Sequence, residues 1–414
     1  MTGAGAGTGR LGALAERNFR LVFTSSTISA LGDGVSTVAL VFAVLHISHD
    51  SPTAVGVVIA ARQVAAAAIT LAAGVWADRL PRHLVHVVVA AIQAVVQTIA
   101  GVSIVTGHTS VALLAVLAVV YGLADGFVLP ASQGLIPAVV SASRLQQANA
   151  LIGLSRSLLG FVGPAVGGLL VTLGSPGSAI LVDAASFAVA GVLLIRLTVP
   201  PRADAVEPER FLDELRAGWG EFRRQTWIWT TIVFFGIGNF AGASFAVLGP
   251  LVMKEHYSGA SSWAAILSLN GVGAIVGGLI ALRWQPRHKL VASVVCAIPY
   301  GFQTLAIGLG LPFPLLLANS AFAGLSLALH LTFWFTVFQE RVPEEARSRV
   351  NSYDALGSFV LMPLGTAVAG PVAGVIGART TLTVSGLISL ACILVVLAQP
   401  SVRELDRLEP AVAA

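Results

Sequence analysis

The sequence predicts an all-α, polytopic membrane protein: twelve transmembrane helices in two six-helix halves that repeat one another. Three observations carry this. Only 11% of the 414 residues are charged and 56% are hydrophobic, whereas water-soluble domains carry about a quarter charged residues. Apolar runs of about 20 residues, the length that crosses ~30 Å of hydrocarbon, recur along the chain. Third, GVWADRLPRH (Gly74 to His83) returns as GGLIALRWQPRHK (Gly277 to Lys289). Gly74 aligns with Gly278 and Arg79 with Arg283; Pro81, Arg82 and His83 align with Pro286, Arg287 and His288 after one inserted residue.

The first half is read as residues 19–198, after a tail over 1–18 with no cleavable leader. Its first span, 19–45, holds Asp33 between two glycines in LGDG. The second, 53–75, holds Arg62 and ends at the basic hairpin. The third, 84–106, places Gln93 and Gln97 among apolar residues, and the fourth, 110–131, contains YGLADGFVLPA with Tyr121 and Asp125. The fifth, 148–173, carries Arg156 and GPAVGG, and the sixth, 178–198, carries Asp183. Residues 199–226 break the pattern. There Phe211, Leu215, Trp219 and Phe222 recur at helical spacing opposite charged residues, which predicts an amphipathic linker helix lying at the membrane interface.

The second half, 227–399, repeats the first. FAVL at Phe42 to Leu45 returns at Phe245 to Leu248, and Gln133 with Pro137 returns as Gln339 with Pro343. Spans are expected at 227–253, 261–283, 290–311, 313–338, 350–374 and 380–399, before a tail over 400–414. Glycine and proline inside them are tolerated because neighbouring helices satisfy freed backbone groups. An even number of spans puts both termini on one side. Of the 24 Arg and Lys residues, only Lys254 and Arg379 fall in the loops opposite, so the termini are expected in the cytoplasm of a cell whose inner membrane holds the protein. The basic loops also account for the pI of about 9.5, and no nucleic-acid partner is implied. Cys296 and Cys392 lie in separate apolar runs without metal-type spacing.

An ionised side chain at mid-membrane costs roughly 2.5–3.5 kcal/mol, so such residues need partners or a purpose. Counting helical rise pairs Asp33 with Arg62, Asp125 with Arg156, and His330 with Asp354 at matching depths. A carboxylate whose cation partner moves between states can take up and release a proton; static clips between helices are the competing reading. Tyr121, Asn239, Phe240, Asn270, Tyr300, Gln303 and Trp334 are candidates for a cavity with apolar walls and a few polar groups, suited to an amphipathic organic molecule. Phe127, Phe245 and Phe333, with Gln93 and Gln97, belong to the same set, though each serves helix packing equally well. No G-x-x-x-x-G-K-[ST], H-E-x-x-H or G-x-S-x-G occurs, and no metal cluster. The expectation is no enzyme, no metal and no cofactor.

These residues resemble the major facilitator superfamily over about residues 17–400. Gly74, Asp78, Arg79 and Arg82 fit its loop motif, with Pro81 in place of a second glycine and His83 in place of a basic residue. Gly163, Pro164, Gly167 and Gly168 resemble the antiporter motif of its drug exporters. LGDG and DAASF (Asp183 to Phe187) are similar to the branch with macrolide and siderophore exporters. The fourth span lacks the arginine that many proton-coupled members carry. The resemblance implies two parallel repeats rocking about a central site, monomeric, exporting a drug-like small molecule across the bilayer in exchange for protons. It also implies that Asp78 seats against the eleventh span as a latch, with Arg79 and Arg82 pairing acids such as Glu344 and Glu345. Leu282 replaces the acid in the second copy. A proton-coupled importer of the same fold, and a non-transporting sensor or scaffold, are the alternatives.

Overall fold

A computed structural model describes residues 12–77, 81–141, 144–198, 223–342, 350, 353–354, 357–358 and 360–405. After a short 3-10 turn, the first half comprises α1 (Arg17–Ile47), α2 (Pro52–Ala77), α3 (Arg82–Val105), α4 (Val111–Asp125), α5 (Val128–Val139), α6 (Leu145–Leu173) and α7 (Pro176–Ile195). The second comprises α8 (Thr226–Gly242), α9 (Ser244–His256), α10 (Ala260–Ala281), α11 (Lys289–Leu309), α12 (Phe313–Arg341), α13 (Met362–Ile376), α14 (Ala378–Ala398) and the short α15 (Pro400–Arg403). Among the described residues, ten segments are long and apolar enough to cross a membrane, and α4 and α13 are shorter apolar helices. The protein is an all-α, multi-pass membrane protein. Of the expected linker, residues 199–222 lie outside the described residues.

Three spans expected as unbroken helices are interrupted. The fourth is α4 plus α5, broken at Gly126 and Phe127 and continuing to Val139 rather than ending near 131. Glycine at the break costs helix propensity, and the break follows Asp125 directly. The seventh divides at Ala243 into α8 and α9. The eleventh turns at Val360 and Leu361 before α13; Pro363 sits in the first turn of α13, where its missing N–H leaves no helical bond unmade.

Within the first half α1 packs on α6 and α7, α3 on α7, and α2 on α4; in the second, α10 packs on α12, α11 on α12 and α14, and α8 on α14. The halves meet through α6 with α10 and α2 with α13. In lipid such contacts depend on small residues that let backbones approach. A Cβ on Gly168 would fall 2.2 Å from the Ala264 Cβ, and one on Gly370 would fall 2.4 Å from the Thr53 backbone. Thr366 donates to Gln63 Oε1 at 3.1 Å across the same seam.

The two ends of the bundle differ. Lys254 and Asp50 form an ion pair between the halves at one end. There a single apolar core runs through both, from Val38, Leu45 and Val58 to Leu248, Met253 and Ala369. At the other end the core divides among clusters that each belong to one half, such as Val22 with Leu135 and Leu194, or Ile228 with Leu290 and Val402. The first and last described residues lie at that parted end: Arg144 donates to Gly12 O at 3.0 Å, and Val402 and Leu405 pack with Trp227.

Candidate coupling and transport site

Each half holds a cavity on the parted side of the bundle. The first, about 220 Å³, is lined by α1, α3, α4, α5, α6 and α7; the second, about 360 Å³, by α8, α9, α11, α12, the eleventh span and α14. Span for span the linings correspond, as the repeat requires. Their chemistry does not.

The first cavity ends on a three-charge cluster. Arg62 Nη2 lies 3.8 Å from Asp33 Oδ1 and 3.6 Å from Asp125 Oδ2, so one guanidinium from α2 serves carboxylates from α1 and α4. The Tyr121 hydroxyl donates to Asp33 Oδ1 at 2.5 Å, and the Arg62 guanidinium sits 4.0 Å from the Tyr121 ring centroid. Arginine has the planar fork and the aromatic affinity such a junction needs. The side chains of Asp33 and Asp125 are 43% and 39% exposed, so solvent in the cavity reaches both. With both acids ionised the cluster carries one net negative charge; one added proton makes it neutral.

Glycines set this geometry. A Cβ on Gly122 would lie 2.2 Å from the Arg62 carbonyl oxygen, so α2 and α4 touch where Arg62 must reach Asp125. Gly34, next to Asp33, faces Gly163 with a notional Cβ only 2.7 Å from its Cα, and Gly167 meets the Val35 backbone equally closely. Gly163 and Gly167 thus seat α6 on α1, and Gly168 on the same helix meets the other half. Beneath the cluster Asp183 is fully buried. It accepts hydrogen bonds from Gln97 and from Ser186 (3.3 Å), and Gln97 also donates to Ser36 at 2.7 Å.

Two of the expected ion pairs are corrected. Asp125 pairs with Arg62, not Arg156, because α4 packs on α2 and not on α6; Arg156 lines the same cavity, exposed, without an ion pair among the described residues. His330 does not pair with Asp354. Its Nδ1 meets Ser293, at 3.0 Å from both the hydroxyl and the carbonyl oxygen, and its ring stacks on Phe235 at 4.9 Å. Asp354 instead accepts from Trp334 Nε1 and Ser358 Oγ, both at 3.0 Å. Helical rise alone does not tell which neighbour a side chain faces around the helix axis.

Of the expected cavity residues, Asn239, Tyr300, Gln303 and Trp334 line the second cavity. Tyr121 belongs to the charge cluster. Asn270 lies where α10 crosses α12, its Nδ2 3.4 Å from Gln303 Oε1, and Phe240 packs its carbonyl against Gly365; neither lines the two cavities. Gly74 falls in α2 and Arg82 opens α3, whereas Asp78 and Arg79 of the expected latch, and Glu344 and Glu345, lie outside the described residues.

The profile of the Major Facilitator Superfamily matches residues 22–362. The chain belongs to that superfamily. Among relatives of this superfamily member, the multidrug efflux pump Tap of Mycobacterium tuberculosis (strain ATCC 25618 / H37Rv) is 26% identical over 404 residues, spanning 93% of this chain and 94% of its own. Macrolide efflux protein A of Streptococcus pyogenes is 22% identical over 293 residues, spanning 69% and 72%. The fold matches a bacterial homolog of the human lysosomal transporter Spinster, inward-facing and unoccupied (TM-score 0.71, 15% identity, 95% of this chain and 99% of the other). It also matches a bacterial homologue of the iron transporter ferroportin in an inward-facing state (TM-score 0.71, 16% identity, 94% and 98%). The protein is therefore a superfamily transporter with drug-exporting relatives, and not an enzyme.

Some members of the site escaped sequence reasoning. Tyr121 is read from its residue type as a cavity aromatic, not as the donor to Asp33. Gln63, next to Arg62, is a lone amide in an apolar run; that isolation was the available signal, since a buried amide needs partners.

Proposed function

We propose that this transporter exports a small amphipathic organic compound across the cytoplasmic membrane in exchange for protons. The observation that carries the reading is Arg62 shared by carboxylates of two different helices. As α1, α2 and α4 shift against one another when the transporter changes state, Asp33 and Asp125 change their claim on that guanidinium. An acid that loses it takes up a proton, and one that regains it releases the proton. One proton crossing ~150 mV supplies roughly 3.5 kcal/mol, enough for a concentration ratio of about 300. The parted end, with its basic loops and both termini, then faces the cytoplasm, and residues 199–226 link halves 19–198 and 227–399 of a functional monomer. Export rather than import is supported by the GPAVGG segment and by the names of the relatives.

The test is flux in proteoliposomes under an imposed pH gradient. Asp33→Asn is expected to lose proton-driven movement at every pH while retaining substrate counterflow. Full gradient-driven transport by that variant refutes the coupling role, and absence of any flux by the unaltered protein favours the sensor or scaffold reading. Counterflow in inverted vesicles separates export from import.

A further inference from the structure

We infer that the cavity of the second half is the substrate seat and that it takes an organic cation, its positive centre at Asp354 and its apolar body against aromatic walls. The inference rests on the reading of the protein as a transporter of organic compounds and adds where the cargo sits and what charge it bears.

Size separates the two cavities first. The second, at about 360 Å³, falls within the range of ligand pockets, whereas the first, at about 220 Å³, is smaller. Their charges differ more. Asp33 and Asp125 in the first half share an arginine of the protein's own. Asp354 has none: both oxygens accept from neutral groups, the Trp334 indole N–H and the Ser358 hydroxyl, and no cation of the described residues pairs with it. His330, the nearest basic side chain of the lining, is committed to Ser293 and stacked on Phe235. A carboxylate at membrane depth without a counter-charge is costly. A cationic ligand would supply the missing charge.

The walls suit the rest of such a ligand. Tyr300 and Phe335 line the cavity with 43% of their surfaces exposed, and aromatic faces attract ammonium-type centres as well as apolar groups. Asp354 is held in place from two sides, by Trp334, which packs edge-on against Trp227 with centroids 5.8 Å apart, and by Ser358, whose carbonyl accepts from Asn239 at 2.9 Å. An anion entering here would meet Asp354 and, among the described lining residues, no arginine or lysine. A neutral molecule would leave the carboxylate unpaired.

Equilibrium binding to the purified full-length protein in lipid nanodiscs, without a proton gradient, tests this. Tetraphenylphosphonium is the cationic probe and triphenylphosphine oxide the uncharged one. The expected result is saturable tetraphenylphosphonium binding that Asp354→Asn weakens at least tenfold. Triphenylphosphine oxide should change less than twofold, and Arg156→Ala, in the lining of the first cavity, should leave both probes unaffected. Should Asp354→Asn fail to fold, Tyr300→Ala carries the test, with an expected threefold or greater loss for the cation. The absence of saturable cation binding, or binding lost in Arg156→Ala and kept in Asp354→Asn, overturns the assignment. Because no gradient is applied, a failure of proton exchange leaves this result untouched, and a failure here leaves the flux test untouched.

Discussion

Gly122 is the residue on which the charge cluster's geometry turns, and Gly122→Ala tests it with one methyl group. The added Cβ would fall 2.2 Å from the Arg62 carbonyl oxygen, where ordinary contact begins at 3.4 Å. Helix α4 must therefore retreat from α2 by about 1 Å, which stretches the 3.6 Å separation of Arg62 and Asp125 to about 4.6 Å. At an effective dielectric of 20 the Coulomb attraction falls from about 4.6 to about 3.6 kcal/mol. Both side chains are about one-third exposed, so screening reduces that loss to less than about 1 kcal/mol. Overpacking adds strain of about 1–3 kcal/mol. The expected outcome is a lower unfolding temperature in detergent and gradient-driven transport reduced by up to about fivefold. Gly153→Ala is the control, since a Cβ there meets nothing within 4 Å. If the two variants match in melting temperature and in transport, α2 and α4 do not position the cluster as described.

Arg156→Ala should leave proton-driven flux within twofold, whereas Arg62→Ala should abolish it; the reverse order would reinstate the Asp125–Arg156 pair. Tyr121→Phe removes a hydrogen bond to a carboxylate, worth about 1.5–3 kcal/mol, but keeps the ring beneath Arg62, so coupling should weaken without disappearing, as read from the pH dependence of flux. Lys254→Ala and Asp50→Ala, in a double-mutant cycle of thermal stability, should couple by less than about 1 kcal/mol because both side chains are about 40% exposed. Asp78→Ala should move the resting population toward inward-open states, measured as spin-label distances between the basic loops; unchanged distances reject the latch.

Fold class was legible because lipid imposes it: length and apolarity fix a spanning helix, and the repeat of the basic hairpin pairs the halves. Breaks at Gly126, Ala243 and Val360 were less legible, since membrane helices tolerate glycine and proline in continuous runs. Within the site, helical rise placed Asp125 and Arg156 at one depth, yet rise says nothing of which neighbour a side chain faces. That information sat in Gly122, whose missing side chain brings α2 against α4. His330 and Asp354 illustrate the same point from the other half. Trp334, one turn beyond His330 on α12, takes the carboxylate, and Ser293 on α11 takes the imidazole.

Gly34 is the immediate neighbour of Asp33, and it rests against Gly163 of the helix that also reaches the opposite half through Gly168. Any sliding of that helix is thus delivered to the carboxylate by direct backbone contact, with no intervening side chain to absorb it. Tightness of proton exchange in this protein should consequently be set by alkyl volume at the α1–α6 crossing as much as by charge. Second-site revertants of uncoupled variants are to be sought among its smallest residues.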